Sequence, residues 1–381
     1  MKLAVFFHLG GDIDVLSPFL SPFPGGEIKI IVSEKLLATN HRLSIVLDAY
    51  GLEPEEVLSH RSSRDELRNA ISDCSHLLTS SESNLNPHRL AFALTQEANH
   101  LGLLTATLQH GVENIGLTYF DEYQGPEVRF ASQQVLTWNG TRSLLPDVCS
   151  ETREKVIDVG LPSARPDPAF DELFEAMEFN PEGRKVIGIF ENLHWTRYSD
   201  DFRRKFLDDL QQATELFPDL LFVTKPHHEG RWLTERFQGD RPENSNLLII
   251  DPKSHEWSLL TAPTLLPSMV GVITTPSKVA LDASLAGLPV AIASYDGQYA
   301  YYNDLVSLSM SNDWFEFLRK VDAGPDDFGA TQNEAFIGKT VSSVRAPQRV
   351  NDALLKKVSQ SATISSSRPQ QRKSLACENG G

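Results

Sequence analysis

The chain has 381 residues, more than one hydrophobic core usually supports, so two domains are expected. A formal charge of −16 and an isoelectric point near 5.1 exclude a broad nucleic-acid or anionic-membrane surface, so any phosphate site has to be local. Cys74, Cys149 and Cys377 have neither pairing nor metal-ligand spacing, which argues against a disulfide framework or structural zinc and fits a reduced, cytoplasmic protein.

Leu3 to His8 reads as a first strand. Its apolar run is too short for a signal-peptide core, and no run approaches the ~20 apolar residues of a membrane helix. A peripheral membrane contact stays open. Gly10-Gly11 predicts a loop where backbone can approach a ligand, or a plain strand-to-helix turn, and Asp12 and Asp14 place carboxylates beside it. Ile28 to Val32 is a second strand, Leu36 to Tyr50 a helix, Arg64 to Ser72 another helix and His76 to Thr79 a short strand. This alternation is the pattern of a parallel, doubly wound sheet.

Pro87 to Leu101 predicts a helix with His88 and His100 near its ends, as surface or capping residues. Thr105 to Leu108 is a strand that runs into Gln109-His110-Gly111-Val112-Glu113-Asn114. Ligands of open α/β sheets sit at the carboxyl ends of strands, and an imidazole on a tight turn there suits a general base. A structural histidine bonded to a loop carbonyl is the other reading. Gln134 to Trp138 and Lys155 to Val159 complete the first series of strands, and Pro162 to Pro168, with three prolines, is the best linker. The expected division is residues 1–161, a linker at 162–182, a second domain at 183–330, a C-terminal helical segment at 331–358 and a disordered Ser- and Gln-rich tail at 359–381.

The second series starts with Lys185 to Phe190, followed by the loop Glu191 to Arg197, which holds His194. This loop mixes a cation, an aromatic plane and hydrogen-bonding groups, as a substrate loop or as a cover for the sheet edge. Asp200 to Phe217 is an amphipathic helix, Leu220 to Thr224 a strand leading to Lys225-Pro226-His227-His228, and Leu247 to Ile250 a strand before Asp251-Pro252. The adjacent histidines suit a phosphate or sugar contact better than a metal, since neighbours in sequence rarely face one ion. Val270 to Ile273 is a strand, Thr275 an N-cap, Pro276 the first helical residue and Gly287 the left-handed stop, after which Leu288 to Ile292 returns to the sheet. Thr274, Thr275, Ser277 and the backbone from Ser277 to Val279 would cradle an anion. Lys278 opposes the helix dipole, a penalty that a bound phosphate would reverse. Asn312 to Val321 predicts a closing helix that could cross back to the first domain.

In order, Gln109-His110-Gly111, Lys155 to Pro162, Lys225-Pro226-His227, Asp251-Pro252 and Ile273 to Asp282 with Gly287-Leu288-Pro289 resemble the GT-B glycosyltransferases that build bacterial capsules, teichoic acids and lipopolysaccharide. The resemblance covers roughly residues 1–320. It implies an α/β GT-B fold of two Rossmann-like domains with a cleft between them, no cofactor and no metal. Within that group the chain is similar to the CDP-glycerol glycerophosphotransferases and the Kdo- and sialic-acid transferases that use CMP-sugars. The similarity implies that His110 is the base, with Glu113 and Asp12 as catalytic carboxylates, and that Lys225, His227, Thr274, Thr275, Ser277, Lys278 and Asp282 bind the donor, Asp282 on the ribose. Gly10, Gly11, Gln109, Gly111, Glu191, His194 and Arg197 are further candidate substrate contacts. His228 stands where the family has proline, and Lys278 where it has a second serine. The implied partners are a nucleotide-activated sugar and a glycan acceptor. A non-hydrolysing sugar-nucleotide epimerase and a catalytically silent binding protein of the same fold are the alternatives.

Overall fold

The computed structural model describes residues 2–20, 26–120, 128–162, 181–227, 232–251, 254, 257, 259–295, 297, 299–324, 327–343 and 346–355. Most of the expected linker and all of the expected tail lie outside the described residues. The first sheet contains β1 (Lys2–Phe7), β2 (Glu27–Ser33), β3 (Glu56–Leu58), β4 (His76–Thr79), β5 (Leu104–Leu108), β6 (Gln134–Thr137) and β7 (Val156–Asp158). The second contains β8 (Lys185–Glu191), β9 (Leu220–Pro226), β10 (Leu247–Ile249), β11 (Gly271–Thr274), β12 (Val290–Ala293) and β13 (Val306–Leu308). Their orders are β3-β2-β1-β4-β5-β6-β7 and β10-β9-β8-β11-β12-β13, with every pairing parallel.

Helices cover both faces of each sheet, which is why the central strands are continuously apolar instead of alternating. In β1, Leu3, Val5 and Phe7 enter one core while Ala4 and Phe6 enter another on the opposite face. In β8, Val186 and Phe190 face one core, and Ile187 and Ile189 face the other. This is the three-layered α/β/α arrangement expected of the GT-B fold, with one sheet for each half of the chain.

Two local expectations are corrected, and one open reading is decided. The helix predicted over 36–50 is two, Glu34–Thr39 and His41–Ala49, because Asn40 leaves helical conformation and its side chain accepts a bond from Arg42 N at 3.1 Å. Of the two readings of Gly10-Gly11 the strand-to-helix turn holds, since the Gly10–Leu16 helix starts there. The helix over Ser311–Ala323 does not cross back; it stays on the second sheet, where Trp314 meets Phe206 edge-on at 5.5 Å.

The crossing is made by a later segment. Leu161 N donates to Ser343 O at 2.9 Å, Ser342 N to Trp138 O at 2.8 Å and Asn139 Nδ2 to Lys339 O at 2.8 Å. The Ala346–Leu355 helix then places Val350, Ala353 and Leu354 in the core beneath β1. Gly160 permits this approach: its φ is +78°, and a Cβ there would lie 2.5 Å from Ser343 O.

Candidate functional site

Each sheet has one point where the strand order reverses, β1 beside β4 in the first and β8 beside β11 in the second. The carboxyl ends of such strand pairs form the crevice in which open α/β sheets hold ligands. Nearly all the candidate residues fall on or next to these two crevices.

In the first crevice Asp12 is fully buried. Its Oδ2 accepts His8 N at 2.7 Å and Leu9 N at 2.8 Å, and its Oδ1 accepts the hydroxyls of Ser80 and, at 2.5 Å, Ser81. Four donors occupy the carboxylate that the sequence offers as catalytic, so Asp12 ties the ends of β1 and β4 together and does not face a substrate. Gly10 is buried and Gly11 exposed, with space around it for a side chain.

His110 follows β5. Its backbone N–H donates to Asn114 Oδ1 at 3.1 Å, and its ring is half-buried and meets the His88 ring edge-on at 5.5 Å. His110 Nδ1 is buried without a protein partner. Burial lowers the His110 pKa, while the Asp12 charge and the Ser80 carbonyl pull it back up. His8 Nε2 bonds the Pro87 carbonyl at 2.8 Å, its Nδ1 has no partner, and burial lowers its pKa against the pull of that carbonyl and of Asp12. His88, expected at the surface or as a cap, occupies the N-cap position of the Arg89–His100 helix but is only 8 % exposed, and it bonds the Ser83 hydroxyl at 2.9 Å through Nδ1. Burial and its neighbours His110 and His8 push its pKa down to about 3. Gln109 is buried as a brace, donating to Gly111 O at 2.9 Å and accepting Trp138 N at 3.0 Å; it is not placed as a substrate contact.

In the second crevice, Asn192 holds the turn after β11. Its side chain accepts the Thr275 hydroxyl at 2.6 Å and donates to Pro276 O at 3.0 Å, while Asn192 N donates to Thr275 Oγ1 at 3.0 Å. Thr274 and Thr275 are fully buried. The N-cap is therefore Ser277, not Thr275; its hydroxyl accepts Val279 N at 3.2 Å, and the helix runs over Lys278–Leu285. Gly287 has the expected left-handed φ, +77°. Lys278 pairs with Asp282 one turn on at 2.6 Å, which offsets the unfavourable dipole and draws Asp282 away from a purely ligand-facing role.

One residue passed over in the sequence, Arg42, joins Asp14 in completing this charge cluster from the first half. Arg42 pairs with Asp14, and both interact electrostatically with Lys278. Lys225, at the end of β9, is partly buried, and burial together with the Arg42 charge lowers its pKa to about 8. Arg42 lies in a stretch that reads as an ordinary amphipathic helix, and no local signal separates it from a solvated arginine.

Arg197 joins the halves. Its guanidinium grips Glu113 at 3.0 and 2.9 Å, and also donates to Tyr198 Oη at 3.1 Å and Pro276 O at 3.2 Å. The rings of Tyr119, Trp195, Tyr198 and Tyr299 surround it at 5.1–5.6 Å. Burial raises the Glu113 carboxyl and Arg197 pulls it back, so Glu113 serves as an anchor and not a free catalytic carboxylate. Nearby, the His194 and His227 rings lie 4.9 Å apart. Glu191 is 4 % exposed; Oε2 accepts Leu193 N at 2.6 Å, Oε1 is buried without a partner, and burial pushes its pKa up to about 7.

No protein-family model matches the chain, and no curated protein does either. Solved structures share its fold. The UDP-GlcNAc 2-epimerase of Neisseria meningitidis bound to UDP-GlcNAc aligns with a TM-score of 0.64 at 15 % identity, over 94 % of this chain and all of the other. The Methanocaldococcus jannaschii UDP-GlcNAc 2-epimerase aligns with a TM-score of 0.59 at 12 % identity, over 93 % of this chain and 99 % of the other. A variant of the wall teichoic acid polymerase TagF gives 0.60 at 15 % identity, over 93 % of this chain and 88 % of the other.

Proposed function

We propose that the chain is a metal-independent transferase that moves a sugar, or a glycerophosphoryl group, from a CMP- or CDP-activated donor to a cell-surface glycan. The observation that carries this reading is the meeting of two crevices: an imidazole with an unpartnered nitrogen in one, and a capped helix N-terminus with three nearby cations in the other. The donor phosphates would lie against Ser277 and Val279, neutralised by Lys278, Lys225 and Arg42. His110 would take the proton of the attacking hydroxyl as the nucleotide leaves. The likeness to TagF, a wall teichoic acid polymerase, supports the transfer of an activated polyol phosphate. The Neisseria likeness, which covers both chains almost end to end, favours a second reading as a non-hydrolysing sugar-nucleotide epimerase.

Calorimetric titration with CMP, CDP, UDP and GDP, followed by incubation with the matching activated sugars with and without glycan acceptor, separates the readings. Asp282→Asn is the reference for the pair Lys278→Ala/Asp282→Asn, so that loss of the lysine leaves no unpaired carboxylate. A charge-assisted contact is worth roughly 1.5–3 kcal/mol, so cytidine nucleotide affinity is expected to fall about ten- to a hundredfold between them. Conversion of a UDP-sugar without acceptor would replace transfer by epimerisation. Binding of no nucleotide would leave a silent relative of the fold.

A further inference from the structure

We infer that Trp195 is the platform on which the pyranose ring of the donor lies, a specificity-determining residue that favours a nucleotide-linked sugar over a nucleotide-linked glycerol. The inference rests on the phosphate site proposed at Ser277 and names the group that the phosphate carries. A single exposed aromatic side chain is ordinary on a protein surface, so its place and its rigidity have to decide. Four rings face the Arg197 guanidinium; Tyr198 is buried, Tyr119 and Tyr299 are half-buried, and Trp195 is 39 % exposed. The same guanidinium reaches both halves of the chain. Its Cζ is 5.6 Å from the indole, Nη2 is 3.2 Å from Pro276 O beside the Ser277 cap, and Nη1 is 3.0 Å from Glu113 Oε1 in the turn that follows His110. The indole is thus one side chain away from both the phosphate cradle and the turn that carries the proposed base, and a group passing between them comes within its reach.

The loop is set without help from the indole. Trp195 N donates to Asn192 O at 3.1 Å, and the Asn192 side chain is locked to Thr275 and Pro276. Arg203 donates to Leu193 O at 2.8 Å and to Trp195 O at 2.9 Å, so backbone bonds fix where the ring stands. A pyranose has a flat face of C–H groups and a rim of hydroxyls, and a site for it pairs an aromatic plane with polar groups at the edge. His194 tilts against the indole at 5.9 Å and His227 against His194 at 4.9 Å. Two imidazoles therefore extend the plane toward the end of β9 and supply that polar edge. A glycerol chain has no flat face and gains little from such a plane.

The test compares wild type with Trp195→Phe, which keeps a flat face, and Trp195→Leu, which keeps apolar bulk without one. Titrations pair CMP with CMP-sialic acid, UDP with UDP-GlcNAc and CDP with CDP-glycerol. For the sugar-bearing nucleotide that wild type binds, Trp195→Leu is expected to lower affinity about fivefold to fiftyfold, and Trp195→Phe by less. Affinities for the bare nucleotides and for CDP-glycerol are expected to stay unchanged. A loss shared by the bare nucleotide or by CDP-glycerol overturns the inference, as does a sugar-nucleotide affinity that survives the leucine. A raised acceptor KM at unchanged donor affinity assigns the ring to the acceptor and overturns it too. The wild-type indole gives a second readout. Its Nε1–H NMR signal, identified by its loss in Trp195→Phe, is expected to shift with methyl glucoside and methyl N-acetylglucosaminide and not with glycerol. If Trp195→Leu does not fold, this signal decides. Absence of all nucleotide binding defeats the transferase reading; a glycoside-dependent shift then still supports the platform, and an unmoved signal overturns it.

Discussion

Glu191 shows how burial tunes one group away from solution behaviour. Its carboxyl lies at the end of a central strand, 4 % exposed, with a pKa pushed up to about 7. The folded state therefore holds the proton more tightly than the unfolded chain, and stability is lost as pH rises from the ordinary carboxyl range through about 7. Over that window the linkage is worth on the order of 3 kcal/mol. Glu191→Gln keeps the shape and an oxygen for Leu193 N but cannot ionise. Urea denaturation at pH 5 and 8 is expected to find the variant more stable than wild type at pH 8 and close to it at pH 5. Equal pH dependence in the two proteins would show that Glu191 does not titrate in this range. Asp12, Glu113 and Asp282 look equivalent in the sequence as available carboxylates, but the fold engages each one: with four donors, with Arg197 and with Lys278.

At the scale of elements, the strands are the most legible part of the chain. Runs such as Val186 to Phe190 and Val272-Ile273 are apolar on both faces and end at polar turns, so their positions and their parallel pairing follow from local pattern alone. Helix boundaries follow less well, because side-chain caps decide them. Asn40 splits one predicted helix, and Asn192, from a different strand, locks Thr275 and moves the N-cap to Ser277. The candidate site is legible as positions, since strand ends carry it, and illegible as partnerships. Asp12 meets Ser80 and Ser81 from 68 and 69 residues away, and Glu113 meets Arg197 from 84. Gly160 gives a direct test of one such join. Alanine there would carry a left-handed φ and press against the Ser343 carbonyl, at a cost of about 2–4 kcal/mol. The expected result is a lower urea midpoint with faster amide exchange at Leu161 and Ser342, and normal exchange would mean the backbone absorbs the methyl group.

The whole molecule is held by contacts between its halves, and Arg197 is the most concentrated of them. The pair with Glu113 is largely buried, with side chains 15 % and 18 % exposed, so removing one charge leaves the other stranded. Arg197→Met is expected to cost about 3–5 kcal/mol, and the double variant Arg197→Met/Glu113→Gln to recover most of it, measured by chemical denaturation. If the single variant is as stable as the double one, the ion pair does not join the halves. The C-terminal crossing has a consequence in time. Val350, Ala353 and Leu354 belong to the core beneath the first strand, so the half that leaves the ribosome first lacks part of its interior until residues 350–354 have been made. The second sheet, whose strands all lie between Lys185 and Leu308, has all of them to hand earlier. Synthesis order and completion order are thus reversed, and a nascent chain stalled before residue 346 would expose an open apolar face for chaperones to guard.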